Sequence, residues 1–314
     1  MDASARAEAP GRPEISLRAA RPRYGEKIIK GLLVLAAFVS VLTTTGIVLS
    51  LIEETIVFLG DVPVGDFLFG TEWAPLFNPP SFGVLPLVTG TLVVGAIAML
   101  VATPLGLGAA IYLSEYARPG VRKTIKPILE LLAGVPTIVF GYFALTFFTP
   151  EILQALFGNS IQIFNALSAG IIVGFLVIPT VASISEDAMS AVPQSLREGA
   201  FGLGGSKLQV TTRVVFPAAL SGIVASLVLA MSRAVGETMV VMIAGGLQPQ
   251  WGLNLGQSME TMTAFIANTG KGDIATGSIA YKTVFAVGML LFLITLVMNL
   301  FSIRFVRKYR QVYE

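Results

Sequence analysis

Six apolar runs, each close to the length that crosses a bilayer as a helix, constrain this chain more than anything else in it. They are roughly Gly31–Ile52, Val88–Leu113, Pro127–Phe148, Ala166–Ile184, Ala218–Ala244 and Thr283–Ile303. The first holds no charged residue at all. A soluble domain carries roughly 25% charged residues; here 13% are charged and 54% are hydrophobic. Too few charges remain to cover a soluble surface. The expected fold class is an all-α membrane protein with six transmembrane helices. Pro104 and Pro136 fall inside two of the runs, which membrane helices tolerate when neighbours satisfy the freed backbone groups.

About 30 residues precede the first run, which is too long for the apolar segment of a signal peptide. It is expected to remain as an anchor. Residues 1–26 hold Pro10, Pro13, Pro22 and five Arg and read as a disordered basic tail; residues 27–314 read as the transmembrane domain.

The net charge of +2 hides a regular alternation. Arg6, Arg12, Arg18, Arg21, Arg23, Lys27 and Lys30 precede the first run. Arg118, Arg122, Lys123 and Lys126 lie between the second and third, Arg197, Lys207 and Arg213 between the fourth and fifth, and Arg304, Arg307, Lys308 and Arg310 after the sixth. Only Lys271 and Lys282 fall on the other side, whose first loop, 53–87, has five acids and no base. Basic residues accumulate on the cytoplasmic side. The expected location is the cell (inner or plasma) membrane, multi-pass, with both termini cytoplasmic. The outer loops carry both Trp residues, Trp73 and Trp251, which suit either interface anchoring or docking of an external partner.

Cys and His are both absent. That excludes disulfides, Cys nucleophiles, Ser-His-Asp triads and zinc held by Cys or His. No metal site, cofactor or catalytic residue is expected, and the chain does not read as an enzyme. No Gly-x-x-x-x-Gly-Lys-[Ser/Thr] occurs either, so ATP would have to be hydrolysed by a separate subunit.

Two features carry function. Arg233 and Glu237 lie inside the fifth run, where an ionised side chain costs ~3 kcal/mol on insertion scales. Four residues apart on a continuous helix, they would share a face and could pair. The same face carries Gly222, Ser226, Ala230 and Val241. Arg233 is either an anion contact on a substrate path, its guanidinium suited to oxyanions, or half of a structural ion pair. The second feature is the loop between runs four and five. Ser195 with Glu198 suits a capping box, Gly204-Gly205 a helix end, and a second short helix could run from Lys207 towards Pro217. The expectation is a helix–turn–helix elbow.

That loop resembles the coupling loop of ABC-importer permeases, the EAA motif. Glu198-Gly199-Ala200 stands for Glu-Ala-Ala, with Gly in the middle place; Gly204 follows six residues after the Glu, and Val214-x-Phe216-Pro217 closes the pattern nineteen residues after it. The resemblance implies a type I-like permease fold whose coupling helix, between transmembrane helices 4 and 5, inserts into a cytoplasmic ATPase. Stretches such as Phe69-Gly70-Thr71-Glu72-Trp73, Leu131-Leu132-Ala133-Gly134-Val135-Pro136-Thr137 and Ser232-Arg233-Ala234-Val235-Gly236-Glu237-Thr238 are similar to PstC-type phosphate permease subunits, over nearly the whole chain. This implies a PstA-type permease partner, two PstB-type ATPase subunits and a PstS-type phosphate-binding protein. A permease for another oxyanion or nutrient, or a secondary transporter, stays open on the residues alone.

Overall fold

The computed structural model describes residues 24–272 and 274–309. Residues 1–23 of the expected basic tail lie outside these, and Tyr24–Glu26 are already helical. The chain divides into two units, Met1–Ser50 and Leu51–Glu314. The described part of the first is one uninterrupted helix with exposed apolar side chains such as Leu33, Phe38 and Val41. It is the start of α1, Tyr24–Asp61.

The second unit continues through α2 (Val64–Phe69) and a two-residue hairpin of β1 (Trp73–Ala74) and β2 (Ser81–Phe82), with Trp73 opposite Phe82. Then come α3 (Leu85–Ile111), extended by a π-helical turn at Tyr112–Tyr116, α4 (Pro119–Ala133), α5 (Thr137–Phe143) with a π-helical extension to Leu153, and α6 (Gln154–Phe157). The remainder is α7 (Ala166–Ser190), α8 (Gln194–Gly202), α9 (Lys207–Val210), α10 (Phe216–Ala218), α11 (Leu220–Val235), α12 (Met262–Gly270) and α13 (Ile279–Tyr309).

The central pair is α3 and α7. Glycine sets their spacing: a Cβ on Gly170 would come within 2.6 Å of the Ile97 side chain, and one on Gly174 within 2.8 Å of Val101. Apolar surface gains little by leaving lipid for protein, so contact between membrane helices depends on small residues that let backbones approach. Val94, Ala98, Ala102, Val173, Leu176 and Val177 fill this seam, and Ala230 and Ala234 close it from α11.

Five described helices are long and apolar enough to cross a membrane; a bent pair, Lys207–Ala218 with Leu220–Val235, can supply a sixth span. Two expected runs need correction. The third does not start at Pro127: α4 stops at Ala133, and the membrane-length segment is Thr137–Ser160. The residue before a proline is disfavoured in helical geometry, so Val135-Pro136 parts an amphipathic α4 from the span. The fifth run is not one helix. It bends by 70° near Ala219 and breaks again after Val235, resuming at Met239.

Trp73 departs from both roles expected of it. It is 4% exposed and packs edge-on against Phe265 of α12 at 5.0 Å. With Phe58, Phe67 and Phe82 it builds a second core. Trp251 is exposed. The sequence signal for Trp73 is ambiguous, because an amphipathic ring suits a belt and a core equally.

Candidate functional site

The break after Val235 decides the geometry of the intramembrane charges. Gly236 ends α11, and Glu237 begins the next turn by accepting the Met239 and Val240 amides at 3.1 and 3.3 Å. Its carboxylate thereby satisfies two amides that a helix start leaves without partners. Thr263 of α12 donates to the Glu237 carbonyl at 2.7 Å, tying the break to α12. The expected Arg233–Glu237 pair therefore does not form. Four-residue spacing brings side chains together only on an unbroken helix. Arg233 instead donates to the Thr180 hydroxyl of α7 at 3.2 Å and pairs with no acid among the described residues.

The small and polar stripe below Arg233 does face the bundle interior. Gly222 abuts Ala188, and the Ser226 and Ser185 hydroxyls meet at 2.7 Å. On another side of α11, Val224, Leu227, Val228 and Met231 line an apolar groove of about 540 Å³ with Val297, Met298 and Phe301 of α13.

The elbow forms as a short helix, a turn and a second helical segment, α8 to α10. One detail differs. Pro193 stands at the N-cap of α8 with no side-chain cap, so Ser195 and Glu198 make no capping box there. The box belongs to α9: Ser206 accepts the Gln209 amide, and Gln209 accepts the Ser206 amide at 2.9 Å. The helix starts two residues earlier than the capping pattern implied, leaving Ser195 inside it. Gly204 turns the chain with φ +83°, a conformation that a residue with a Cβ rarely adopts. Glu198, Gly199 and Pro217 are exposed and Ala200 is half-buried. Leu203, 92% exposed, and Leu208 stand out from the tip as apolar side chains.

Contacts that sequence reasoning missed fasten this elbow. Arg197 of α8 bonds Glu115, at the end of the α3 extension, at 2.5 Å and the Met189 carbonyl of α7 at 2.7 Å. Lys207 lies over the Tyr116 ring. Beside them Glu186 of α7, fully buried, takes Arg122 and Lys126 of α4. Burial alone would lower the Lys126 pKa, but the hydrogen bonds and the negative charges of Asp187 and Glu186 together hold it above its ordinary value. Seven bases in two separate loops gave no sign of which would find a buried acid. An acid near the polar end of an apolar run is the only signal that could have pointed to Glu186.

Glu260, in the loop before α12, is also buried, and burial raises its pKa from 4.5 to about 8. Between those values the folded chain holds a proton that the unfolded chain has released, so stability falls as pH rises through that window. The slope approaches ~1.4 kcal/mol per pH unit. Thermal unfolding of the purified protein is expected to show a falling Tm from pH 5 towards pH 8. Glu260→Gln should flatten that trend, and an unchanged slope would contradict it.

Residues 102–311 match the family model for the binding-protein-dependent transport system inner membrane component. The chain belongs to this family. Among relatives, a probable ABC transporter permease protein, YqgH, of Bacillus subtilis is 33% identical over 79% of each chain. The phosphate transport system permease protein PstC of Mesorhizobium japonicum is 34% identical, covering 73% of this chain and 74% of that one. PstC of Haemophilus influenzae is 31% identical over 79% and 82%. Among solved structures, a bacterial alginate ABC transporter bound to its periplasmic protein matches with TM-score 0.63 at 16% identity, over 93% of this chain and 100% of that one. The MetNI methionine transporter in an inward-facing conformation matches with TM-score 0.53 at 19% identity, over 73% and 95%. The fold is thus that of ABC transporter permeases, and the family places the chain in a membrane.

Proposed function

We propose that this chain is the PstC-type permease subunit of an ATP-driven phosphate importer. It would form the translocation path with a PstA-type partner, over two PstB-type ATPases, and receive phosphate from a PstS-type binding protein. The observation that carries the reading is Arg233, a guanidinium on a spanning helix with no acid paired to it among the described residues. An unneutralised cation in that setting is costly and marks a functional position. Its planar fork suits a tetrahedral oxyanion, and the neighbouring Thr180 hydroxyl adds a second polar group. PstC relatives at 31–34% identity support phosphate as that anion.

Both termini are proposed to be cytoplasmic, as is the elbow, from the distribution of Lys and Arg. The loop 53–87, with five acids and no base, then faces outward, and its Asp61 is paired with Lys282 at 3.2 Å. The chain itself breaks no covalent bond. Because the YqgH relative is named without a substrate, a permease for another oxyanion is the competing reading.

The test is ATP hydrolysis by the purified complex with its binding protein added. Hydrolysis should rise with phosphate-loaded binding protein and stay at its basal rate with sulfate or molybdate. Stimulation by either of those in place of phosphate overturns the substrate assignment.

A further inference from the structure

The end of α7 holds two attachments within one helical turn. Met189 accepts Arg197 of the elbow through its carbonyl at 2.7 Å. Glu186, three residues earlier, holds α4 through Arg122 and through Lys126 at 2.8 Å. Ser190 completes the site, donating to Glu186 and accepting from Arg122 at 2.8 and 2.9 Å. The Glu186 side chain is 0% exposed. A buried carboxylate needs all of its partners, so this joint does not slide. Arg122 and Lys126 are four residues apart on α4 and so share one face of it.

Beyond the joint, α4 ends at Gly134-Val135-Pro136 and the chain enters α5. Gly141 of α5 sits against Ile243, in the π-helical segment Val241–Gly245 that follows the break beside Arg233. So α4 and α5 run from the elbow's anchoring helix to the segment next to the proposed substrate contact, with a proline break between them.

We infer that Glu186 is a positioning residue that couples the elbow to α4, so that movement of the elbow carries α4 with α7. Arg197 passes displacement to α7 and, through Glu115, to the end of α3; Glu186 passes it on to α4. The inference rests on the proposed ATP-driven import.

The test uses the complete complex, with its ATPase subunits and binding protein, in proteoliposomes. Phosphate uptake and ATP hydrolysis are measured on the same preparation for wild type and Glu186→Gln. Phosphate imported per ATP hydrolysed should fall by about tenfold, with hydrolysis near the wild-type rate and half-saturating phosphate unchanged. Lys126→Gln, which leaves Arg122 on the carboxylate, should lower the same ratio less and serves if Glu186→Gln fails to assemble. Spin labels on α4 and α7 should report a broadened distance distribution in either variant. An unchanged ratio overturns the inference, and so does a parallel fall of uptake and hydrolysis, which a merely structural role would give. If wild type imports another oxyanion, the substrate reading fails, and the ratio is read with that oxyanion instead.

Discussion

Arg233→Gln is expected to cut ATP-driven phosphate uptake by roughly ten- to a hundredfold while the complex still assembles. The magnitude follows from losing a hydrogen bond to a charged group, worth ~1.5–3 kcal/mol. Assembly should survive because the partner left behind is a hydroxyl, Thr180, at 3.2 Å, and not a buried carboxylate. The absent ion pair is what makes this a sharp expectation. Had Glu237 held Arg233, removing the arginine would strand a buried acid and damage folding and transport together. Instead Glu237 is engaged by the Met239 and Val240 amides and keeps those bonds in the variant. Arg233→Lys should fall between the two, retaining the charge but not the planar fork. Uptake at the wild-type rate in Arg233→Gln would remove the residue from the path.

Leu203→Asp is expected to abolish co-purification of the ATPase subunits and, with it, uptake. Leu203 is 92% exposed and Leu208 is 63% exposed, on an elbow fastened by Arg197 and turned by Gly204. Apolar side chains held out on a rigid tip suit a partner's pocket better than solvent. Central interface residues of this kind cost ~2 kcal/mol or more when lost, about a thirtyfold weaker complex. The fold should be untouched, since exposed substitutions away from special features stay within ~0.5 kcal/mol. Retention of the ATPase at wild-type yield would show that the tip is not the docking point.

The membrane class is legible in the sequence because apolar runs of this length and number fit a bilayer and would overfill a soluble core. The elbow is legible because Glu198, Gly204 and Pro217 keep a fixed spacing. Continuity of the spans is less legible. The third run is apolar through its break and the fifth stays apolar on average despite Glu237, and hydropathy does not sense a helix that stops at Val135-Pro136 or after Val235. Glu237 misleads for a related reason: its spacing from Arg233 implies a partner, while its local role is to start the next helical turn. The Arg197–Glu115 and Glu186–Lys126 pairs join residues 82 and 60 positions apart. No local period encodes such pairings; they come from the packing of α3, α4 and α7.

The central claim is that this chain is the permease of an ATP-driven phosphate importer. The most direct measurement is accumulation of radiolabelled phosphate by proteoliposomes holding the complete complex, with binding protein on one side and ATP on the other. The account predicts accumulation only when ATP, ATPase subunits and binding protein are all present, and its loss in Arg233→Gln. Accumulation by this chain alone without ATP, or import of sulfate in place of phosphate, would contradict it.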